Sequence, residues 1–347
     1  MVTDRPLGAS PQQKIADIFR GHPAGVYLIA VVEVWERFSF YGMRALLVLF
    51  LIAPITSGGF GWTTVQALQF YGAYIALAYM TPIIGGYMAD HLLGPRRSLL
   101  VGAILMCIGH FLMVGPVLFP WIIGFVSGYP LGEILHQLTS VPIGGLTITP
   151  EIRAALEALS TARSVSGSQV DMKALELAYL SMGYSFYGAA GLIVLGTGFF
   201  KPSTYSVIGR LYKDDDPQRE NGVFLYQVAV NTGAIFSALI AGTLGEKFGW
   251  HYGFSAAGVG MLVAAIIYTL RQQTYLGHIP HTPPARAYKR QQRERRGRSR
   301  VERDRLIVIG FMGVFSGLFW MAAEQSGGSI SIYAAQQTDR DMMGFEI

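Results

Sequence analysis

Residues 33–44, "EVWERFSFYGMR", place two glutamates and two arginines inside a run that is otherwise as apolar as a membrane span. A charge at the centre of a bilayer helix costs about 3 kcal/mol even on lenient insertion scales. In a helix, four residues of this stretch share one face and a fifth lies beside them: Glu33, Arg37, Tyr41 and Arg44, then Glu36. We therefore expect this face to point into a protein interior or a water-filled cavity.

The composition is that of a membrane protein. Hydrophobic residues make up 51% of the 347-residue chain and charged residues 14%, against roughly 25% charged residues in a soluble domain. Residues 1–22 are polar and lack the apolar core of a cleavable signal, so we expect the first span to be retained. Segments long enough to cross about 30 Å of hydrocarbon predict an all-α integral membrane protein. They lie near 24–53, 64–89, 98–118, 182–209, 222–244, 251–270 and 306–327.

The distribution of basic residues predicts the orientation. Residues 286–305 hold ten Arg/Lys and three Asp/Glu, a net charge of +7, and lie between two predicted spans. Such a run can bind nucleic acid, but its place in the chain favours a cytoplasmic loop. Alternation of the spans then puts the amino terminus in the cytoplasm and the uncharged loop 54–63 outside. We expect a multi-pass protein of the cell (inner) membrane, in contact with lipid and without a nucleic-acid partner.

A long external excursion, residues 119–181, separates the third and fourth predicted spans. Within it, "TPEIRAALEALSTAR" predicts a short amphipathic helix, because Thr149 can cap it and Pro150 fits its first position. Residues 164–170 are typical of a flexible link into a helix that starts near Asp171.

Other spans also carry polar residues at membrane depth. Lys201, followed at once by Pro202, needs an anionic partner, and we expect a glutamate of the first span to supply it. A purely structural buried ion pair is a poor stabiliser, so charges on several spans favour a proton relay or a substrate pathway. For Asn231 and Tyr79 interhelical hydrogen bonding remains an alternative, and for Glu324 a structural salt bridge does.

Several kinds of chemistry are disfavoured. The single cysteine, Cys107, excludes an internal disulfide and a thiolate metal cluster. No nucleophile, base and orienting group occur together, which argues against an enzyme. We expect neither a cofactor nor a metal ion.

Four motifs, taken in order, resemble those of the proton-dependent oligopeptide transporter family, within the major facilitator superfamily. They are "EVWERFSFYG" in the first span, "GGYMADHLLGPRR" in the turn after the second, "GTGFFKP" in the fourth and "FWMAAEQSGGS" in the seventh. The resemblance covers the chain from about residue 24 onwards, except the 119–181 excursion. It implies the superfamily's N-terminal six-helix bundle plus the seventh transmembrane helix.

The resemblance also implies a function and a set of residues. Family members import di- and tripeptides together with protons by alternating access. The positions that match proton-coupling residues are Glu33, Glu36, Arg37, Lys201 and Glu324. The positions that match substrate-binding residues are Arg37, Tyr41, Arg44, Tyr79, Lys201, Asn231, Trp320 and Gln325.

The expected organisation has four parts. They are a cytoplasmic segment (1–22), the six-helix bundle (23–270), a basic linker (271–305) and the seventh helix with the start of an external loop (306–347). Because family members have two six-helix halves, we expect this chain to be C-terminally incomplete and to belong with further helices. Two alternatives remain open: a related secondary transporter of another anionic or drug-like solute, and a truncated membrane protein that does not transport.

Overall fold

The computed structural model of the protein describes residues 19–54, 57–127, 145–161, 171–213, 215–279, 300–338, 341–342 and 345–346. The fold is helical. In chain order the helices are α1 (Ala24–Ile52), α2 (Thr64–Met88), α3 (Pro95–Leu112), α4 (Gly115–Ser127), α5 (Pro150–Thr161), α6 (Met172–Leu211), α7 (Gln218–Ser237), α8 (Thr243–Phe248), α9 (Trp250–Leu276), α10 (Arg300–Ala323) and α11 (Ser329–Gln337). Single π-helical turns follow α2 and α7, and a 3-10 turn, Glu324–Gly327, joins α10 to α11. Two antiparallel two-residue strands, Asp341–Met342 and Phe345–Glu346, follow α11.

Within the described residues, six helical segments are long and apolar enough to cross a membrane. They correspond to the second to seventh predicted spans: Thr64–Leu93, Pro95–Leu112, Met172–Leu211, Gln218–Phe248, Trp250–Leu276 and Arg303–Gln337. The first predicted span is the 29-residue helix α1. Helix α1 is long enough to cross a membrane, but its charged residues distinguish it from the six apolar segments.

The excursion between the third and fourth predicted spans is largely helical where the structure describes it. The short helix α5 is confirmed, and the amide of Ile152 donates to the Thr149 hydroxyl at 3.4 Å, as expected of a cap. The helix expected near Asp171 is α6, which begins at Met172 and is continuous with the fourth span over 40 residues. Its length of about 60 Å is twice the hydrocarbon thickness. Sequence hydropathy located only its apolar part.

Helix α1 lies in the centre of the bundle formed by α1 to α9. It packs against α7 and α9, while α3 packs against α6 and α9, and α2 packs against α6. The contact between α2 and α6 is very close: a Cβ atom added at Gly85 would collide with the Gly198 carbonyl oxygen. Glycine at these two positions lets the helix backbones touch.

Two apolar clusters fill the bundle, and a polar layer of α1 lies between them. One cluster includes the buried apolar residues of α1 between positions 40 and 51, and the other includes those between positions 26 and 32. Between the two, Glu33, Glu36 and Ser39 are completely buried. The prediction that the charged face of this helix points into the protein is therefore confirmed.

Helix α10 differs from the bundle helices because all its described side chains from Arg303 to Met321 are exposed. The segment meets α1 through the 3-10 turn Glu324–Gly327 and α11. Three predicted segments lie outside the described residues: residues 1–18 of the expected cytoplasmic segment, the predicted link 164–170, and residues 286–299 of the basic run.

Candidate functional site

Four charged side chains form a compact group between α1 and α6, which we call the bundle cluster: Glu33, Glu36, Arg37 and Lys201. Lys201 Nζ lies 2.5 Å from Glu33 Oε1 and 2.8 Å from Glu36 Oε2. Both carboxylates are completely buried, and the Lys201 side chain is 18% exposed. The expected pairing of Lys201 with a first-span glutamate is confirmed, and both glutamates take part in it.

Arg37 completes the bundle cluster. Its Nε and Nη2 donate to the two carboxylate oxygens of Glu36 at 2.5 and 2.6 Å, and Nε lies 3.3 Å from Glu33 Oε1. The guanidinium also lies over the Phe40 ring, 4.5 Å from its centroid. The two acids and two bases give the cluster no net formal charge. This balance is what allows four charged groups to remain in a low-dielectric interior.

The two carboxylates are not equivalent. Glu36 accepts from both Arg37 and Lys201, whereas the second oxygen of Glu33, Oε2, is buried and has no hydrogen-bond partner among the described residues. A carboxylate oxygen without a donor is the easier of the two to protonate, because no cation has to leave it first. Glu33 Oε2 is therefore the carboxylate oxygen of the bundle cluster that no described donor holds.

The local sequence of α6 positions Lys201. Pro202 lies inside α6, which continues helically through it, and its missing N–H leaves the Gly198 carbonyl without its usual intrahelical donor. Helix α2 packs on this turn, with Gly86 facing Pro202. The close α2 contact holds the turn that carries Lys201 against the bundle.

A second polar group, which we call the helix link, connects α1 and α2 with the turn after α10. Arg44 Nη2 lies 2.9 Å from Glu324 Oε2 and donates to Ser326 Oγ at 2.7 Å. Arg44 Nε donates to the Tyr71 hydroxyl at 2.9 Å. The Tyr79 hydroxyl donates to Glu324 Oε1 at 2.7 Å. The helix link thus consists of Arg44, Tyr71, Tyr79, Glu324 and Ser326, with both of its ionised groups buried.

The structure brings some of the expected substrate residues together and leaves others apart. Tyr41 lies between the two groups, its ring 5.5 Å from the Arg37 guanidinium and 5.7 Å from that of Arg44. Asn231 is exposed and donates to the Gln227 carbonyl of its own helix. Trp320 and Gln325 are also exposed in this arrangement.

Sequence analysis missed Tyr71 and Ser326 as members of the helix link. Tyr71 precedes Tyr79 by eight residues, which places both on one face of α2, and this spacing was the available signal. The hydrogen bond between Arg44 and Ser326 joins positions that are 282 residues apart, and no local sequence pattern predicts it.

Comparison with known proteins identifies the family. Residues 96–293 match the family model described as POT family. The chain belongs to the POT family. It is 31% identical over 259 residues to the uncharacterized transporter YclF of Bacillus subtilis, covering 75% of this chain and 40% of that protein. It is also 31% identical over 275 residues to the di-/tripeptide transporter of Lactococcus lactis subsp. lactis, covering 78% and 42%. This POT-family chain thus spans about two fifths of the length of these relatives.

Solved structures agree with the expected fold. The crystal structure of a mutant peptide transporter POT in complex with alafosfalin superposes with a TM-score of 0.65 at 25% identity, covering 98% of this chain and 67% of that one. The expected all-α major facilitator architecture is therefore confirmed for this POT-family chain.

Proposed function

We propose that the protein is a proton-coupled symporter that imports di- and tripeptides by alternating access. The observation that carries the proposal is Lys201, which bridges two completely buried carboxylates on another helix. A buried cluster of ion pairs gains little stability by itself, so an exchange of partners during transport explains it better than a structural role does. The family, and relatives that are di-/tripeptide transporters, support peptides as the cargo.

The proposed cycle begins with a proton on Glu33. Protonation removes one of the two negative charges that hold Lys201, so its ammonium group becomes free to bind another anion. The carboxylate of a peptide is such an anion, and Arg37 and Lys201 lie close enough together to bind it jointly. When Glu33 loses its proton, Lys201 returns and the peptide carboxylate loses its partner. Charge neutrality in a low-dielectric site couples the two movements.

The helix link gives this cycle a gate. Glu324 is held by Arg44, Tyr71 and Tyr79, and these contacts join the turn after α10 to the bundle. If Arg44 or Glu324 bound a substrate group instead of each other, this turn would be released. We assign Tyr41, Asn231, Trp320 and Gln325 to the same substrate pathway. Alternating access needs such an element to move relative to the bundle.

We also propose the orientation that the sequence predicts, with the amino terminus in the cytoplasm of the cell and the α1–α2 loop outside. Single cysteines at Ser57 in that loop and at Lys213 after α6 test it, because both side chains are exposed. In right-side-out vesicles, a membrane-impermeant maleimide should label the first position and not the second. The reverse pattern would contradict the assignment.

Transport is tested in liposomes with the protein together with the further helices that alternating access requires. An inward proton gradient should drive accumulation of radiolabelled dialanine, and unlabelled di- and tripeptides should compete while free alanine should not. Uptake of other solutes without peptide competition would point to a different secondary transporter. No gradient-driven uptake at all would sink the proposal.

The role of Glu33 is tested with Glu33→Gln, which keeps the shape of the side chain and removes its titration. Counterflow exchange of labelled peptide should persist, while accumulation against a gradient should be lost. Glu220→Gln is the matched control, because Glu220 is exposed in the first turn of α7. Undiminished accumulation by Glu33→Gln would show that the proton binds elsewhere.

A further inference from the structure

Tyr205 is an exposed aromatic residue on the face of α6 that carries Lys201. It follows Lys201 by four residues, so the two Cα atoms lie about one helical turn, or about 6 Å, apart along the axis. Tyr205 is 55% exposed. A face that carries a charged residue at membrane depth points away from lipid. The exposed Tyr205 ring therefore lies on the polar side of the bundle, next to the bundle cluster.

The direction of α6 shows on which side of the bundle cluster Tyr205 lies. Helix α6 runs antiparallel to α1, because Phe186 lies 6.2 Å from Phe50 between ring centroids while Lys201 reaches Glu33. Positions after Lys201 on α6 are therefore level with positions before Glu33 on α1. Tyr205 lies on the side of the cluster towards the amino-terminal end of α1.

The ring of Tyr205 packs on the buried Tyr226 of α7. Their ring centroids are 5.3 Å apart with an interplanar angle of 59°, and Tyr226 is only 2% exposed. A tilted aromatic pair at this distance is a favourable arrangement. We call Tyr205 and Tyr226 the tyrosine pair. Because Tyr226 is packed on all sides, it holds one face of the Tyr205 ring in place and leaves the rest of that ring exposed.

The packing of α7 on α1 gives the tyrosine pair the same height. A Cβ atom at Gly233 would lie 2.8 Å from Arg37 Cβ, and one at Gly42 would lie 2.8 Å from Ala241 Cβ, so the two helices run parallel. Tyr226 precedes Gly233 by seven residues, which places it on the same face of α7 about 10 Å nearer to the amino-terminal ends. The pair is therefore about one turn below the bundle cluster.

The helix link lies on the opposite side of the bundle cluster. Arg44 follows Arg37 by seven residues, about 10 Å along α1, and it holds Glu324. Tyr41 lies between the two arginines. The bundle cluster thus has an aromatic surface on one side and a buried acid on the other.

This arrangement gives a bound peptide a direction. The proposed function places the peptide carboxylate at Arg37 and Lys201, and the positively charged amino group favours the side on which Glu324 lies. An extended chain covers about 3.5 Å per residue, so a di- or tripeptide fits the roughly 10 Å between Arg37 and the helix link. The side chain of the C-terminal residue branches from the carbon that carries the carboxylate. It therefore lies next to Lys201, within about one helical turn of Tyr205.

We propose that Tyr205 determines specificity for the C-terminal residue of the peptide, by contacting its side chain and favouring an aromatic one. Aromatic pairs attract each other by more than the burial of their surfaces accounts for. The amino-terminal residue lies near the helix link, so its side chain does not reach Tyr205. This inference deepens the proposed function and depends on it for the position of the carboxylate.

The deciding experiment compares two competitors of identical composition, alanyl-phenylalanine and phenylalanyl-alanine, against gradient-driven uptake of labelled dialanine. The protein is reconstituted with the further helices that transport requires. In the unchanged protein, alanyl-phenylalanine should inhibit at a concentration about two- to tenfold lower than phenylalanyl-alanine does. Tyr205→Ala should abolish this difference, while the half-saturating concentration of dialanine changes by less than about twofold. Tyr205→Phe keeps the ring and should keep the preference.

Tyr184→Ala is the matched control, because Tyr184 is an equally exposed tyrosine of α6 more than five turns from Tyr205. It should keep the preference. If Tyr205→Ala does not fold, Tyr205→Leu, which removes the ring but keeps an apolar side chain, decides in its place.

Three results would overturn the inference while dialanine uptake persists. They are equal inhibition by the two competitors in the unchanged protein, stronger inhibition by phenylalanyl-alanine, and an unaltered preference in Tyr205→Ala. A parallel loss of affinity for dialanine and both competitors in Tyr205→Ala would also overturn it, since Tyr205 would then support Lys201 and not select a side chain. Absence of dialanine uptake by the unchanged protein would contradict the proposed function, and this inference with it.

Discussion

The bundle cluster and the helix link both bury charged side chains, but their surroundings differ. The bundle cluster lies between α1 and α6, two helices that are embedded among α2, α3, α7 and α9. The helix link joins the bundle to a segment that is otherwise exposed, since α10 has no buried side chain from Arg303 to Met321. A polar contact inside a packed body can change partners without moving that body. A polar contact between two bodies that pack poorly against each other controls their relative position.

On the basis of this difference we propose separate tasks for the two groups. The bundle cluster is suited to proton exchange, because its helices stay packed whichever cation Glu33 and Glu36 hold. The helix link is suited to gating. Few apolar contacts would hold Glu324–Gln337 in place after the ion pair between Arg44 and Glu324 breaks. Substitutions that disrupt each group in turn test whether the two tasks are separate.

The largest expected effect comes from breaking the bundle cluster with Lys201→Met. The change leaves two buried carboxylates with Arg37 as their one remaining cation, and removing one partner of a buried ion pair costs about 3–5 kcal/mol. We expect a lower unfolding temperature in detergent at about pH 7 and a partial recovery at about pH 5, where carboxylates protonate more readily. Gradient-driven peptide uptake should be lost at both values.

Two controls sharpen this result. Lys213→Met removes an exposed lysine beyond the end of α6 and should leave the unfolding temperature unchanged. The double variant Glu33→Gln/Lys201→Met should be more stable than Lys201→Met, because it restores the neutrality of the cluster. If Lys201→Met unfolds at the same temperature as Lys213→Met, the cluster does not have the energetic role assigned to it.

A smaller effect is expected from breaking the helix link with Arg44→Ala. Hydrogen bonds to charged groups contribute about 1.5–3 kcal/mol each, and Arg44 makes them to Tyr71, Ser326 and Glu324. Amide hydrogen exchange should therefore increase in residues 324–337, while exchange in α1, α3 and α6 stays as in the unchanged protein.

Arg44→Lys is the conservative comparison for the helix link. A lysine keeps the charge but cannot bind three groups with a planar fork, so we expect exchange in residues 324–337 to be intermediate. Unaltered exchange there in Arg44→Ala would mean that apolar contacts hold the segment. An increase in the bundle helices as well would mean that the two regions unfold together.

Glycine substitutions test the packing difference directly. Gly85→Ala forces a Cβ atom into the Gly198 carbonyl, and overpacking of this kind costs about 1–3 kcal/mol. Gly313→Ala places its Cβ atom where nothing lies within 4 Å, so thermal stability should stay level or rise slightly through helix propensity. Equal losses in the two variants would contradict the contrast between a packed bundle and an exposed α10.

The smallest effect is expected at the short helix α5. Thr149→Ala removes the cap of its first turn at a cost of about 1 kcal/mol. Hydrogen bonds from its own backbone amide and from Thr149 lower the pKa of Glu151 below its ordinary value of 4.5. A lowered folded-state pKa stabilises the helix at pH values above the ordinary one, and this contribution disappears as the pH falls through the lowered value.

Hydrogen exchange of the Ile152 and Arg153 amides, corrected for the intrinsic pH dependence, measures both effects. Protection should fall in Thr149→Ala, and its dependence on pH below about 4.5 should be weaker in Glu151→Gln than in the unchanged protein. Peptide uptake near neutral pH should not change. A marked loss of uptake in Thr149→Ala would show that the excursion takes part in transport.

Hydrophobicity and helical periodicity, which are properties of short stretches, were sufficient for much of the fold. They predicted the positions of the spans, the inward face of α1 and the capped start of α5. They also predicted that Lys201 needs a glutamate, because an unpaired ammonium at membrane depth is too costly to leave alone. They also predicted a helix starting near Asp171, but not that this helix is continuous with the fourth span as α6.

The contacts between distant parts of the chain at the site could not be predicted from the sequence. The sequence indicated that Glu324 and Arg44 are buried polar positions but not that they bind each other, since 280 residues separate them. Tyr71 joins Glu324 across 253 positions.

The sequence by itself determined that this chain crosses a membrane as helices, that charges line the inner face of α1, and that its motifs are those of the POT family. These properties follow from local composition and spacing, which the chain carries in any conformation. The tertiary structure alone decided which oxygen of Glu33 lacks a partner among the described residues, and that Arg44 holds Glu324. Those relations depend on how helices from distant parts of the chain pack, and the packing results from all their side chains together.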